Sequence, residues 1–304
     1  MEMESPSADA CAPRYLLVTP AKNEEAVIGR TIAAVIGQTV HPAEWVIVSD
    51  GSTDGTDALV EEAARDHPWI RLIRLDAGHT RCFAAVVRNT MLGIRSATIR
   101  DHTHLGLIDA DIEMAPDYFE TLLDRFARDP LLGLAGGLVV DPGMPVKPPS
   151  NLHDVPGAVQ LFRRLCFDRM GGLTPVAEGG WDAVSCVQAR MAGFRTRLFP
   201  DLVVRHLKPR NVSQGGAIRR KWQLGVRDQA LGYHPLFEAV KCTSRIGESP
   251  AILGAVARWI GFCQASLMRR KRTLEPDVVN HLRSEQLARL RTITNFRRPQ
   301  PVPP

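Results

Sequence analysis

The chain reads as an α/β protein: a mostly parallel sheet flanked by helices, followed by a helical C-terminal appendage. Three observations predict this. Apolar runs of strand length alternate four times with segments of helical spacing in the first half, the pattern of a parallel sheet covered on both faces. The second and fourth runs stop at carboxylates, at Asp50 and at the pair Asp109 and Asp111, and strand ends are where open α/β sheets bind ligands. Beyond Gly215-Gly216 only helical patterns remain.

Taken in order, Tyr15 to Thr19 is a first strand, and Pro20-Ala21-Lys22-Asn23-Glu24-Glu25 leads into a helix over 26–38. A dinucleotide-binding unit would carry GxGxxG in that turn, and this chain does not. Trp45 to Ser49 forms a second strand, ending on Asp50-Gly51-Ser52-Thr53-Asp54-Gly55-Thr56 ahead of a helix over 57–66. Ile70 to Leu75 is a third strand, and Phe83, Val86, Val87, Met91 and Ile94 mark a helix over 81–97. Leu105 to Ile108 is the fourth strand. A helix over 117–128 and a strand over 132–140 follow. Between Asp141 and Gly180 six prolines and several glycines predict an irregular stretch, read as a functional loop. Order resumes with a helix over 181–191 and a strand over 199–206, then helices over 217–231, 235–245, 250–270 and 278–294.

The 304 residues are 44% hydrophobic and 23% charged, enough to bury a large core. A net charge of +5, spread along the chain, argues against a nucleic-acid footprint and allows an acidic substrate. Six cysteines, none in a CxxC pair and mostly in apolar surroundings, read as reduced buried thiols. The start, MEMESPSADA, has no basic segment followed by an apolar one, and a cytoplasmic location is expected.

The chemistry gathers at strand ends. Asp109 and Asp111 lie one small residue apart, so a bend turns both toward one point, where they suit a divalent cation that itself holds a diphosphate. Asp50, before a loop of Gly, Ser, Thr and Asp, is placed to accept a nucleobase N–H. Each has a plainer reading as a turn or cap residue; their shared position on one carboxyl edge favours the ligand reading.

Four blocks in order, Val18 to Glu25, Val48 to Thr56, Arg88-Asn89 and Asp109-Ala110-Asp111, resemble the successive signatures of family 2 glycosyltransferases, over about residues 14–210. The resemblance implies a GT-A type, Rossmann-like sheet and an inverting transfer of a sugar from a nucleoside-diphosphate donor, assisted by Mn²⁺ or Mg²⁺. By position it assigns Pro20, Lys22, Glu24, Asp50, Asp109 and Ala110 to the donor, with Arg81 and Arg88 as basic residues near it. Asp109 and Asp111 match the acids of the DxD motif, and His206, after the strand, matches a third metal ligand supplied in some such enzymes. The family's general base falls at Gly179-Gly180-Trp181-Asp182, where Trp181 replaces the first acid of a frequent Glu-Asp pair and Asp182 is retained. The competing reading of Asp182 is a helix N-cap, which would lower its basicity.

On this reading residues 1–13 are a disordered arm and 14–210 the transferase domain, with a nucleotide-binding half (14–115) and an acceptor half (116–210). Residues 211–295 are the helical region and 296–304 a disordered tail. The acceptor is a glycan or lipid-linked hydroxyl. Residues 250–272, apolar and closed by Arg269-Arg270-Lys271-Arg272, are either a packed helix or one lying in the membrane interface on the inner face of the cell membrane. Arg258 and Gln264 argue against a spanning helix. Arg219-Arg220-Lys221-Trp222 gives the first helix of this region a basic face. A nucleotidyltransferase, or a nucleotide-sugar-binding protein without transfer, is the alternative function.

Overall fold

A computed structural model describes residues 13–76, 83–144, 146, 149, 151–209, 216–269 and 272–296. Strands β1 (Tyr15–Ala21), β2 (Glu44–Asp50), β3 (Ile70–Leu75) and β4 (His104–Ile108) are mutually parallel. Helices α1 (Glu25–Ile36), α2 (Thr56–Asp66) and α3 (Phe83–Ser96) connect them. After α4 (Tyr118–Arg128), the strands β6 (Leu132–Val140), β7 (Val159–Arg163) and β8 (Arg195–His206) extend the sheet, and β5 (Ile112–Met114) closes its far edge. The eight strands run in the order β3-β2-β1-β4-β7-β6-β8-β5. β7 is antiparallel to both of its neighbours, β6 pairs with β8 in parallel, and β5 is antiparallel to β8.

The central strands are apolar on both sides because both sides are covered. Successive side chains of a strand point to opposite faces, so Leu17, Trp45 and Ile47 join Ile28, Ile32, Val60, Phe119 and Phe126 in one core layer. Leu16, Val18, Val46 and Val48 join Val87, Phe162, Phe167 and Phe194 in the other. The buried Trp45 indole N–H donates to Thr19 Oγ1 at 2.9 Å, which leaves that donor satisfied.

The mixed α/β sheet with flanking helices is as expected, and the helices fall within three residues of their expected bounds. Residues 141–180 depart from expectation: they hold β7 and a short helix α5 (Arg164–Arg169). Gln160 interrupts the apolar run there, yet it is fully buried with Nε2 donating to Val155 O at 2.9 Å. Pairing with a strand on each side, rather than local pattern, makes this segment extended. β8 begins at Arg195, four residues before Phe199, because Thr196 and Leu198 face inward while Arg195 and Arg197 face solvent.

Five further helices complete the fold: α6 (Trp181–Met191), α7 (Gly216–Ala230), α8 (Pro235–Ser244), α9 (Leu253–Leu267) and α10 (Pro276–Phe296). α7 and α9 cross at glycines, since a Cβ added at Gly225 would run into the Arg258 carbonyl and one at Gly261 into the Trp222 carbonyl. Around that crossing lies a buried charge cluster. Arg258 Nε is 2.7 Å from Glu238 Oε1, its Nη2 meets Asp228 Oδ2, and Lys241 Nζ is 2.9 Å from Asp228 Oδ2. α10 is tied to α6 by a two-pronged pair, Arg190 to Glu285 at 2.6 and 2.8 Å. Cys166, Cys186 and Cys242 are buried free thiols, with burial pushing the first two up to about 12 and the third to about 11. Cys11 and Cys82 lie outside the described residues. Among the described residues no helix is long and apolar enough to cross a membrane.

Candidate active site

The carboxyl ends of β1, β2 and β4 open into a cleft of about 800 Å³. Two loops form one rim of this cleft and brace each other. Asn23 takes a left-handed conformation (φ 55°), and its Oδ1 accepts the Thr53 N–H at 2.9 Å while its own N–H donates to Ser52 Oγ at 3.1 Å. The Glu24 N–H donates to Thr56 Oγ1 at 2.8 Å and the Gly55 N–H to Glu25 Oε2 at 3.0 Å. Between these loops sits Asp50, 7% exposed, with Lys22 Nζ 3.7 Å from its Oδ2. A buried carboxylate at such a place is a ready acceptor for a base N–H.

The second acidic pair is set by a threonine. After β4 the chain turns at Asp109-Ala110-Asp111 before β5, and buried Thr31 of α1 spans the turn. Its hydroxyl donates to Ala110 O at 2.9 Å and accepts the Ile112 N–H at 3.0 Å. Asp109 N–H is fixed on Ala158 O at 3.0 Å, and Asp111 O accepts Leu207 N–H at 2.8 Å, which places the end of β8 beside the turn. His206 arrives there 5% exposed. One ligand atom from each of Asp109, Asp111 and His206 falls within 4.8 Å of the others. The other ring nitrogen, Nδ1, is 2.8 Å from Asp141 Oδ1, and such a partner orients an imidazole and leaves Nε2 for a ligand.

Two carboxylates and an imidazole at that separation fit Mn²⁺ or Mg²⁺ by donor type. Burial, and next the Asp109 carboxylate beside it, push Asp111 up to about 6. Lys208, with its ammonium 3.7 Å from Asp111 Oδ2 and paired to Glu24, offsets part of that crowding.

On the opposite wall α6 begins. Its N-cap is Gly180, held at φ 91°, a conformation that costs glycine little. Asp182 is therefore in the first turn rather than at the cap. Its Oδ2 accepts the Gly157 N–H at 3.2 Å. Arg227 of α7 lines the same wall: its Nε and Nη2 both reach Asp228 Oδ1, at 3.2 and 3.1 Å, and among the described residues Nη1 has no protein acceptor. Burial works against its charge, but Asp228 first, and Asp182 with it, keep the guanidinium protonated.

Of the residues singled out from sequence, Pro20, Lys22, Glu24, Asp50, Asp109, Ala110, Asp111, Asp182 and His206 all line this one cleft. Arg88 is exposed and falls outside its lining, whereas the next residue, Asn89, lines it. Arg81 lies outside the described residues. Sequence reasoning missed Thr31, Asp141, Lys208 and Arg227. Lys208 was within reach, two residues beyond His206 on one strand end; Thr31 and Asp141 act on backbone and imidazole from distant segments, and no local pattern marks them.

Residues 16–195 match the profile of the family described as glycosyl transferase family 2. The chain is similar to the chondroitin synthase of Escherichia coli, 29% identical over 120 residues, which is 38% of this chain and 16% of that protein. It spans between 15% and 32% of the lengths of the curated relatives it matches. In three dimensions it is similar to the mannosyltransferase PcManGT of Pyrobaculum calidifontis, solved with GDP-Man and Mn²⁺, at a TM-score of 0.56 and 21% identity over 94% of this chain and 81% of that one. It is likewise similar to S. aureus TarS in complex with UDP-GlcNAc, at 0.55 and 11% over 88% and 78%. Both structures share its GT-A fold. With the profile covering more than half of its length, the chain belongs to glycosyl transferase family 2.

Proposed function

We propose that the protein transfers a sugar from a nucleoside-diphosphate donor to an acceptor hydroxyl with inversion at the anomeric carbon. The observation that carries this reading is the convergence of three separate carboxylate sites, Asp50, the Asp109–Asp111 pair and Asp182, on one cleft. Asp50 and Lys22 take the nucleobase end. Asp109, Asp111 and His206 would hold Mn²⁺ or Mg²⁺, which when bound neutralises charge on the diphosphate. Asp182 faces the same space from the other wall and removes the acceptor proton as the hydroxyl attacks. The hydrogen bond it accepts from Gly157 occupies one oxygen and leaves carboxylate lone pairs for that hydroxyl.

The neighbours PcManGT and TarS are described with GDP-Man and UDP-GlcNAc, which supports a nucleotide-sugar donor of either base. We take the acceptor to be a glycan or lipid-linked hydroxyl, and residues 250–272 to give peripheral contact with a membrane. The test is donor turnover in the presence of Mn²⁺, with and without Asp182→Asn. The variant should keep donor-induced thermal stabilisation while turnover falls by about two orders of magnitude or more. Retained turnover in Asp182→Asn would remove the base assignment, and no donor-dependent stabilisation in either protein would remove the whole reading.

A further inference from the structure

α9 has two apolar faces and only one of them is covered. Ala257, Arg258, Gly261, Phe262 and Ala265 turn inward against the rest of the fold. Outward, Leu253, Val256, Ile260 and Leu267 recur at helical spacing, 59%, 48%, 53% and 85% exposed, with Ile252 and Met268 exposed at the two ends. Large apolar side chains in a continuous row rather than scattered singly are uncommon on a free surface and mark a contact.

Charge around the row narrows the occupant. From Pro250 through Arg272 there is no acidic residue, and none from Arg210 through Val226 on the segment that includes the start of α7. Arg219 on α7 and Arg269 just past α9 are exposed, and Trp222, one turn after Arg219, donates its indole N–H to Gln264 of α9 at 3.1 Å. The buried Arg258, by contrast, has both of its carboxylate partners inside the fold. An acid near the edge of the row, Glu248, is paired with Lys221 and Arg245, so the row has a net positive rim and is poorly suited to a second copy of itself, because a two-fold contact would set the rim against its own charge. It suits an anionic lipid surface, where apolar side chains enter the headgroup boundary and arginines meet phosphates.

We propose that the outer face of α9, rimmed by Arg219 and Arg269, is a docking surface for anionic membranes that presents the cleft to a lipid-anchored acceptor. The second half of this statement rests on the transferase reading; the docking itself does not. The geometry links them through α7, which α9 crosses at Gly225, two residues from the cleft-lining Arg227. Gly225 and Arg227 lie on opposite faces of α7, so the docked surface is about two helix diameters, on the order of 20 Å, behind the cleft wall. An acceptor headgroup held at the bilayer needs to reach past these two packed helices.

The test is flotation of the full chain with phosphatidylcholine vesicles containing about 30% phosphatidylglycerol, compared with pure phosphatidylcholine. The wild type should float with the anionic vesicles and be largely released by about 0.5 M salt, which screens the arginines. Ile260→Asp with Leu267→Asp should lower the bound fraction about tenfold or more at an unchanged melting temperature, since both side chains are solvent-facing. Arg219→Glu with Arg269→Glu should lower binding to anionic vesicles only. The proposal is overturned if the wild type stays with the unbound fraction, or if the double aspartate variant floats equally well. It is also overturned if sedimentation finds a dimer that Ile260→Asp dissociates, which assigns the face to a second copy. Donor hydrolysis is measured on the same preparations without vesicles. A protein that hydrolyses donor but does not float loses only the docking surface, and one that floats but is inert toward donor loses only the transferase reading.

Discussion

Asp228→Asn tests whether the buried charge cluster holds the C-terminal helices against the cleft. Asp228 and Glu238 are both fully buried, and they meet Arg227, Lys241 and Arg258, whose side chains are 27%, 17% and 3% exposed. Two carboxylates thus face three cations, and the amide, which is isosteric, removes one negative charge without opening a cavity. Removing one member of a buried ion pair costs about 3–5 kcal/mol; the partial exposure of Lys241 and Arg227 places the expectation at about 3. For a chain of this size that is a fall in melting temperature of roughly 6–10 °C by circular dichroism at pH 7. The pH dependence follows from the sign of the shift. Burial alone would raise the Asp228 carboxyl, yet Lys241, Arg227 and Arg258 hold it well below the usual carboxylate range. Its contribution is therefore complete above the unfolded value of about 3.9 and is lost as pH falls below it. Glu238, raised by burial and by Asp228, takes up its proton first on the way down. The gap between wild type and variant should be full at pH 7 and shrink at pH 3. A loss under about 1 kcal/mol at pH 7, or a gap that is the same at both pH values, would refute the argument.

Three further substitutions test the cleft and the helix crossing. Thr31→Val strands the Ala110 carbonyl and the Ile112 N–H without their shared partner, so it should cost about 1–3 kcal/mol and weaken Mn²⁺ binding measured by calorimetry; unaltered metal affinity would mean the turn holds its shape without Thr31. Asp141→Asn replaces the charged acceptor that orients His206 Nδ1 by a neutral amide oxygen, and Mn²⁺ affinity should fall about tenfold with the melting temperature of the metal-free protein little changed. Gly225→Ala drives a methyl into the Arg258 carbonyl at the α7–α9 crossing. It should destabilise by about 1–3 kcal/mol in urea titration, and a neutral result would show that the two helices separate freely.

Much of the fold was legible because its cause is local. β1, β2 and β4 are continuous apolar runs since both faces are covered, and α4 shows Phe119, Leu122, Leu123 and Phe126 at helical spacing. β7 was hidden because Gln160 breaks its apolar run, and the Val155 carbonyl that accepts from its buried Nε2 is a partner that pattern alone does not reveal. In the site, Asp50, Asp109 and Asp111 announced themselves by standing at the ends of apolar runs, whereas Asp182 was reached through the family resemblance. The residues that set their geometry did not: Thr31 reaches the turn across 79 positions of chain and Asp141 reaches His206 across 65. Arg227 stands in an ordinary polar helix face, and only the packing of α7 beside Gly180 brings it to the cleft.

α6 has one end in each of two neighbourhoods. Asp182 is in its first turn and Arg190 in its last, and Arg190 is gripped by Glu285 of α10. The proposed base is therefore seated by a helix whose other end meets His153 and Thr196 first and gains its grip from Glu285 after nearly a hundred more residues have left the ribosome. A nascent chain can assemble its sheet and its nucleotide-side loops well before that fastening exists. On the proposed reading, the donor side of the cleft is then assembled before the last contact that steadies the acceptor side.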